Sequence, residues 1–337
     1  MKEAIAILST DKHITPRNLS EMYDLFKQEI ILAKERNVSN IIWLGDIFNS
    51  RESQRQEVLT FLSNILIDYK NAGLEIYCIP GNHDKTDYNS YDSFLDCFIL
   101  APHFHLLKEA NSFILGGVKF DSVPFFNEEK WLEEFNKIPK KEAGQILLSH
   151  IAVDGSVNND GSKVSSEKIK PSMFSHYKSV FLGHYHNAQQ VSKNIFHLPS
   201  TRQNNFGEDN EKGFTILYND FSTEFIKSKF IEFEKFHIDL DNSSVEEAME
   251  LAKTIEKENV RITFEFSGSD DKLRALDKKF FINLGVSVAT KNKDVEVEDV
   301  EYAEEVKKMT DDDIIEHFKR FCEKNNYPFD EGIKYLK

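Results

Sequence analysis

Short apolar runs and longer amphipathic stretches alternate along the first 80 residues. Residues 18–37 and 53–73 carry apolar side chains at helical spacing, and the second stretch ends at Gly73, a residue type that often terminates helices. Three apolar runs of strand length separate these helices, over residues 4–8, 40–45 and 74–80. This order predicts right-handed crossovers and helices packed on a largely parallel sheet.

Closely spaced strand candidates replace this alternation after residue 111. Strands are predicted within 112–124, over 145–150 and over 179–186, with a helix over 128–137. The runs "NAQQV", "NIFHLP" and "GFTILYN" follow as further short strands. So many strands predict a second sheet stacked on the first, which gives an α/β fold built as a sandwich covered by helices.

The pattern changes again near residues 231–240. A helix over 244–259, a strand over 260–266, a helix over 270–281 and a strand over 285–290 predict a small α+β unit. An acidic stretch and a final amphipathic segment complete the chain. We therefore expect four segments: 1–232, the α+β unit 233–292, an acidic linker 293–309 and a C-terminal helical segment 310–337.

Composition narrows the class of protein. The chain has 337 residues, 40% of them hydrophobic, and we expect a folded protein with more than one domain. No run of 18 apolar residues or signal-peptide pattern is present, and the three cysteines are scattered, so we expect a cytoplasmic protein without a disulfide framework. A formal net charge of −15 argues against DNA binding by bulk electrostatics alone.

Polar side chains follow five of the predicted core strands. They are Asp11 and His13 after the first strand, Asp46 after the second, Asn82, His83 and Asp84 after the third, His150 after a fourth, and His184 and His186 after a fifth. Because sites in open α/β folds form at the carboxyl ends of the strands, we expect these side chains to meet at one edge. A single motif of this kind is weak, but five in order are specific.

The spacing of these residues suits metal ions. Residues i and i+2 of an extended segment point the same way, so Asp11 and His13 can share an ion, as can His184 and His186. A mixed set of imidazole, carboxylate and amide ligands suits Mn²⁺, Fe²⁺ or Zn²⁺ better than Ca²⁺ or Mg²⁺. Gly45, Gly81 and Gly183 each precede a candidate ligand, where the backbone must turn sharply or approach another group closely.

The order D-x-H, GD, GNHD, a lone His and GHxH resembles that of the calcineurin-like metallophosphoesterases. Within them the chain resembles the SbcD-type DNA double-strand-break repair nucleases, above all the short version that phages encode as the nuclease subunit of a recombination endonuclease. "GDIFNSRES" (45–53) and "LPSTRQNNFGEDNEKGF" (198–214) are similar to further stretches of that family. The resemblance covers residues 3–240 and implies a four-layer α/β/β/α sandwich, with 233–292 as a capping domain.

A two-metal nuclease site is what this resemblance implies. It assigns Asp11, His13 and His186 to one ion, Asn82, His150 and His184 to the other, and Asp46 as the bridge. The ions would be Mn²⁺, with Mg²⁺, Fe²⁺ or Zn²⁺ as alternatives, and a hydroxide between them would attack a DNA phosphodiester. His83 would stabilise the transition state or protonate the leaving oxygen. Asp84 would act with it, either by orienting His83 or by capping the turn.

Three further residues are candidates for contacts with DNA: Asn49, Arg51 and Lys163. Arg51 follows the GD motif at the start of a helix, and Lys163 lies in a loop after His150; a solvated surface position is the ordinary interpretation of each. Asn49 stands where the family often has Asp or His. Because an amide cannot relay a proton, this departure puts the exonuclease reaction in question.

Partners are implied by the same resemblance: double-stranded DNA ends, an SbcC-type SMC-like ATPase and a second copy of the chain. The apolar stripe of the segment 310–337, with Ile314 and Phe318 among its members, would dock on the ATPase, or else form an ordinary core helix. Two alternatives to a nuclease stay open. One is a hydrolase of small phosphate esters, and the other is a non-catalytic scaffold that binds DNA ends.

Overall fold

The computed structural model describes residues 2–138, 144–159 and 161–293, together with residues 319 and 322. The expected linker beyond residue 293 and, apart from residues 319 and 322, the expected helical segment 310–337 lie outside this part. The chain divides into two compact units, the first formed by 1–235 and 255–263 and the second by 236–254 and 264–337. No helix of the described part is long and apolar enough to cross a membrane.

Fifteen strands and six α-helices are found among the described residues. The strands are β1 (Ala4–Ser9), β2 (Asn40–Trp43), β3 (Glu75–Cys78), β4 (Phe104–Leu106), β5 (Asn111–Leu115), β6 (Val118–Val123), β7 (Ile146–His150), β8 (Ser179–Gly183), β9 (Gln189–Ser192), β10 (Ile195–His197), β11 (Gly213–Tyr218), β12 (Thr223–Lys227), β13 (Glu232–Asp239), β14 (Val260–Gly268) and β15 (Ser287–Asn292). The helices are α1 (Leu19–Glu35), α2 (Gln56–Asn71), α3 (Glu128–Lys137), α4 (Val245–Thr254), α5 (Asp270–Arg274) and α6 (Lys278–Asn283).

Two six-stranded sheets form the first unit. One has the order β12–β11–β1–β2–β3–β4 and the other the order β5–β6–β7–β8–β10–β9. Strands β1 to β4 run parallel, as do β6, β7 and β8. The carboxyl ends of β1, β2 and β3 therefore lie at one edge of the first sheet, and those of β7 and β8 at one edge of the second.

Side chains of the central strands alternate between two apolar layers. In β2, Ile41 and Trp43 pack toward α1 and α2, whereas Ile42 packs between the two sheets. In β7, Leu148 packs between the sheets, whereas Leu147 packs with Trp131 of α3 on the outer face of the second sheet. This alternation follows from the two-residue period of a strand. It confirms the expected four-layer α/β/β/α sandwich.

The second unit is built around aromatic side chains. Phe281 of α6 packs on Phe264 and Phe266 of β14, with ring centroids 5.6 and 5.1 Å apart. The strands β13, β14 and β15 form a three-stranded sheet in that order. The α+β character predicted for this region is found, but the helix predicted over 270–281 is divided into α5 and α6. Asp277 caps the second of these helices by accepting hydrogen bonds from the amides of Lys279 and Phe280.

Candidate metal centre

The polar residues singled out in the sequence lie where the parallel strands end. Asp11 and His13 follow β1, and Asp46 follows β2; the amide of Asp11 donates to the carbonyl of Gly45, and the amide of His13 to that of Asp46, both at 3.0 Å. These hydrogen bonds tie the segments after β1 and β2 together beyond the sheet. The carboxyl edge of each sheet thus supplies ligands to one cluster.

A first set of ligand atoms is formed by Asp11, His13 and His186. The Nε2 atoms of His13 and His186 lie 3.1 Å apart, and each lies 3.8 Å from Oδ1 of Asp11. That oxygen is buried and has no hydrogen-bond partner among the described residues. Separations of this size match two ligands that are each about 2.1 Å from a shared ion. The set fits a divalent cation.

A second set is formed by Asn82, His150 and His184. Oδ1 of Asn82 lies 3.1 Å from Nε2 of His150 and 2.9 Å from Nδ1 of His184. Nδ1 of His150 lies 2.6 Å from the carbonyl oxygen of Leu44, to which it donates. A neutral His150 would therefore present the lone pair of Nε2 to an oxygen, which is unfavourable unless a cation or an extra proton lies between them.

Asp46 faces both sets with different oxygens. Its Oδ1 lies 3.4 Å from Nε2 of His150 and accepts the backbone N–H of His83 at 2.8 Å. Its Oδ2 lies 3.7 Å from Nε2 of His13. The side chain is 3% exposed. Groups drawn from Asp11, His13, Asp46 and other members of the cluster meet the spacing of a metal site. A carboxylate placed in this way is suited to bridge two cations.

Burial and charged neighbours shift the pKa values of the cluster in different directions. Burial opposes ionisation of Asp46, but the positive charge of His150 and its hydrogen bond outweigh burial and hold the pKa of Asp46 far below its usual range. Burial likewise opposes protonation of His150, yet the charge of Asp46 raises the pKa of His150 to about 9. Burial and His150 together lower the pKa of His184 to about 3. The carboxylate of Asp46 is thus stabilised by nearby positive charge, which a metal ion would also supply.

Unusual backbone conformations aim several of these side chains. Asp11, His13, Asp46 and His184 have φ angles of 52°, 47°, 52° and 93°, in the left-handed region that non-glycine residues rarely adopt. Each such residue costs on the order of 1–3 kcal/mol and is retained where the surrounding structure imposes it, commonly at functional sites. Local pattern in the sequence did not predict this strain.

Close packing at the glycines confirms the expectation drawn from the sequence. A Cβ atom on Gly183 would lie 2.5 Å from the carbonyl oxygen of Leu44 and 2.7 Å from Nδ1 of His150. A Cβ atom on Gly81 would overlap the carboxylate of Asp46. Only hydrogen fits at these positions, because the two sheets approach each other closely at Gly183 and the segments after β2 and β3 of the first sheet do so at Gly81.

His83 lies beside the cluster and is partly exposed. Its Nδ1 lies 2.5 Å from the carbonyl oxygen of Asn49, and its Nε2 lies 2.7 Å from Nη2 of Arg51. Because a carbonyl only accepts and a guanidinium only donates, Nδ1 carries the proton and Nε2 carries the lone pair. The ring centroid lies 4.7 Å from that of His13. His83 is thus oriented toward the cluster by the backbone of Asn49.

Asp84 does not orient His83, which corrects one of the two roles considered for it. Its side chain is fully buried, and its two oxygens accept the backbone N–H groups of Phe48 and Gly81, at 3.0 and 2.8 Å. Burial, together with the nearby charge of Asp46, raises the pKa of Asp84 to about 7. The turn-capping alternative describes these contacts, and they make Asp84 a support for the loops that carry Asp46 and Asn82.

A cavity of about 370 Å³ opens over the cluster. Its lining includes Arg51 and His83 on the loops after β2 and β3, and Asn158 and Asn159 on the loop after β7. Lys163 is exposed on that same loop, where it pairs with Val157 in an isolated bridge. Of the three candidate DNA contacts, Arg51 lines the cavity, whereas Asn49 contacts His83 through its backbone carbonyl.

One residue of the site was not named from the sequence. Glu208 is buried and accepts a hydrogen bond from Nδ1 of His186 at 2.6 Å. It belongs to the stretch 198–214 that resembles the family. That stretch was the available signal, but the pairing with His186 depends on how the chain folds.

Several known proteins are similar to this chain. A family model described as calcineurin-like phosphoesterase matches residues 7–188, a range that includes all seven candidate ligands. Exonuclease subunit 1 of Enterobacteria phage T4 is 26% identical over 211 residues, which cover 62% of this chain and 60% of that protein. The DNA double-strand break repair protein Mre11 of Saccharolobus solfataricus is 24% identical over 201 residues, which cover 55% of this chain and 50% of that protein.

A solved structure of a dimetal phosphatase from Danio rerio is similar to the chain at 13% identity with a TM-score of 0.43, over 65% of this chain and 93% of that one. The chain spans 60% and 50% of the lengths of the two curated relatives.

Proposed function

Because this chain belongs to the calcineurin-like phosphoesterase family, we propose that it is a metal-dependent nuclease that hydrolyses phosphodiester bonds in DNA. The observation that carries the proposal is the convergence of seven metal-competent side chains under one open cavity. DNA is proposed as the substrate because the two curated relatives are named as an exonuclease subunit and a DNA double-strand break repair protein.

Two divalent cations would be held by the two ligand sets. Asp11, His13 and His186 would hold one, Asn82, His150 and His184 the other, and Asp46 would contact both. When bound, such ions polarise the phosphate and lower the pKa of a coordinated water. Mn²⁺ is proposed first because the ligands mix imidazole, carboxylate and amide groups. The unpaired Oδ1 of Asp11 and the lone pair of His150 are the features of this chain that fit cations.

His83 would act on the phosphate from the side of the cavity. Its Nδ1–H is held by the carbonyl of Asn49, so Nε2 is the atom that faces the substrate. When Nε2 is protonated, it donates a hydrogen bond or a proton to the leaving oxygen. Arg51, whose guanidinium lies 2.7 Å from Nε2, would bind a non-bridging phosphate oxygen beside it. Asn49 itself needs no proton for this role, because it acts through its backbone.

Asp84 would contribute indirectly. Because it accepts the amides of Phe48 and Gly81, it joins the segment after β2 to the segment after β3. These two segments carry Asp46, Asn82 and His83. We therefore propose that Asp84 keeps the catalytic and ligating side chains in register, without contact with the substrate.

The whole assembly is also a proposal. We propose double-stranded DNA ends as the substrate, an SbcC-type SMC-like ATPase as a partner and a homodimer as the working form, with the segment 310–337 as the docking element. The name of the phage T4 relative as a subunit supports the presence of a partner. The formal charge of −15 supports it too, because a partner would then supply much of the attraction to DNA.

The decisive experiment measures cleavage of linear double-stranded and hairpin DNA by the purified chain with added Mn²⁺. We expect His83→Ala to lower the cleavage rate by about 10²–10⁴-fold, the range typical of a lost general acid. Its Mn²⁺ content should equal that of the wild type. His105→Ala removes a part-exposed histidine whose Nε2 lies 2.7 Å from Glu75, outside the cluster, and should leave the rate unchanged.

Hydrolysis of a nitrophenyl phosphodiester, measured in parallel, separates the alternatives. Turnover of this small diester without DNA cleavage, even with an SbcC-type partner and ATP, would favour a hydrolase of small phosphate esters. A wild-type chain that binds no Mn²⁺ and cleaves neither substrate would favour the non-catalytic scaffold.

A further inference from the structure

His186 is held by a buried carboxylate that lies outside residues 7–188, the range matched by the family model. Oε1 of Glu208 lies 2.6 Å from Nδ1 of His186, and the side chain of Glu208 is 0% exposed. Because an ionised carboxylate only accepts hydrogen bonds, the proton of His186 lies on Nδ1. The lone pair of His186 is then on Nε2, the atom that faces His13 and Asp11.

A buried lysine fixes the carboxylate in turn. Nζ of Lys212 is fully buried and lies 3.3 Å from Oε2 of Glu208. The same ammonium donates to the backbone carbonyl of His186 and to Oδ1 of Asn187, each at 2.7 Å. The backbone N–H of Asn204 also donates to Oε2, at 3.1 Å. Glu208 and Lys212 together hold both the ring and the backbone of His186.

The two oxygens of Glu208 therefore serve different groups. Oε2 lies near the ammonium group of Lys212 and supplies negative charge that balances it. Oε1 is left for His186 and for the side-chain amide of Asn205, which donates to it at 2.8 Å. A carboxylate that accepts the second ring N–H of a metal-binding histidine fixes the tautomer and orientation of the ring.

We propose that Glu208 is a positioning residue of the metal centre, which presents the Nε2 lone pair of His186 to the cation shared with Asp11 and His13. This inference rests on the proposed metal-dependent function. Removal of such a partner typically lowers metal affinity by about 10–100-fold. Since Glu208 follows the family match at residues 7–188, this part of the site is supplied by the region beyond the matched motifs.

Two variants of Glu208 test the proposal. Glu208→Gln has one oxygen, which can serve His186 or Lys212 but not both. Glu208→Asp keeps the charge opposite Lys212 but draws the carboxylate back by about 1.5 Å, the length of one carbon–carbon bond. Glu134→Gln is the matched control, because Glu134 is also fully buried and bound to a lysine and a backbone amide, on α3, where it contacts none of the ligands.

The first measurement is equilibrium titration of each full-length variant with Mn²⁺. We expect both Glu208 variants to lose about 10–100-fold in affinity at one of two sites. We expect Glu134→Gln to bind like the wild type, even if it unfolds at a lower temperature. Wild-type affinity in both Glu208 variants would overturn the proposal.

The second measurement needs no metal. Long-range proton–nitrogen NMR correlations of the metal-free, histidine-labelled protein show which ring nitrogen of His186 is protonated, with His186→Gln identifying the signals. The proposal expects Nδ1–H in the wild type and loss of this single tautomer in Glu208→Gln. A proton on Nε2 in the wild type would overturn it. A wild type with Nδ1–H that binds no Mn²⁺ would refute the proposed function while leaving the orienting contact intact.

Discussion

At the carboxylate of Asp46 the two ligand sets come within reach of one side chain. Oδ1 faces His150, and Oδ2 faces His13, at 3.4 and 3.7 Å. Asp46 is buried, and His83 holds Oδ1 through its backbone N–H. Its position, rather than its charge alone, is what would allow one residue to contact both proposed cations.

Mn²⁺ should therefore stabilise the folded chain through Asp46. Saturation at about 100 times the dissociation constant contributes about 2.7 kcal/mol, which corresponds to a rise in Tm of about 4 °C in a chain of this size. Asp46→Asn retains the shape but has a single oxygen, so it cannot serve both sets. We expect thermal unfolding scans with and without Mn²⁺ to show most of this rise lost in the variant.

Asp121→Asn is the control for the loss of a buried carboxylate. Asp121 is fully buried and binds Ser112 and Tyr177 at 2.6 and 2.9 Å, with no candidate ligand among these partners. This variant should unfold at a lower temperature yet keep the full Mn²⁺-dependent rise. An equal rise in Asp46→Asn and the wild type would contradict the assignment of Asp46.

Residue chemistry in the sequence predicted which side chains are metal-competent, but not how they are held. The motifs identified His186, yet its partner Glu208 lies 22 residues further along the chain and meets it only in the folded structure. Asp84 was recognised as part of GNHD, although its contacts are with backbone amides. Hydrogen-bond partners depend on tertiary structure, and local pattern carries little information about them.

At the scale of elements, the site depends on how closely the strand ends approach. The segments after β1, β2 and β8 meet around Gly183, whose α-carbon lies against the carbonyl of Leu44 and the ring of His150. This contact is between the two sheets of the sandwich. The proposed ligands of the two sheets could share ions only because the sheets come together at this edge.

Gly183→Ala should separate these elements. A Cβ atom 2.5 Å from the oxygen of Leu44 forces backbone to move, and overpacking of this kind typically costs about 1–3 kcal/mol. We expect the variant to bind Mn²⁺ at least about tenfold more weakly, since the shift displaces His150 and His184; this factor corresponds to about 1.4 kcal/mol. Titration of the folded variant with Mn²⁺ measures this loss of affinity.

Gly73→Ala separates crowding from backbone strain. Gly73 ends α2 with a φ of 74°, and an added Cβ atom would meet nothing within 4 Å. The substitution should therefore destabilise the fold only through the left-handed conformation that alanine must adopt, by about 1–2 kcal/mol. Unfolding should therefore occur at lower denaturant concentration while Mn²⁺ affinity stays the same. Unchanged affinity in Gly183→Ala as well would contradict the close-approach argument.

The elements that the sequence predicted well are the long or fully buried ones. Helix α1 and strands β1, β2 and β7 carry clear apolar periodicity, and their observed bounds lie close to the predicted ones. The short strand β4 and the half-exposed strand β12 were missed. Their side chains mix burial and exposure, so pairing with a neighbouring strand, rather than local pattern, makes them strands.

At the scale of the whole molecule, the charge of the chain conflicts with its proposed substrate. The formal net charge is −15, so long-range attraction to a polyanion is absent and contacts must be local. Arg51 is the cationic residue that lines the cavity among the described residues, and Lys163 lies on the loop whose residues Asn158 and Asn159 also line it. DNA affinity of the chain alone should therefore be weak and should depend on few phosphate contacts.

Lys163→Gln tests whether the loop after β7 meets the DNA backbone. Loss of one phosphate contact reduces the slope of log affinity against log salt by about 0.9 and weakens binding about equally for all sequences. Fluorescence anisotropy of a labelled duplex, over a series of NaCl concentrations without added Mn²⁺, measures the slope. Lys70→Gln is the control and removes the same charge from the end of α2. Because α2 returns from the carboxyl end of β2 to the amino end of β3, Lys70 lies at the opposite edge of the sheet. Equal slopes for the two variants would place the DNA away from this loop, whereas a smaller slope in Lys163→Gln alone would show that the strand passes over the cavity beside Asn158 and Asn159.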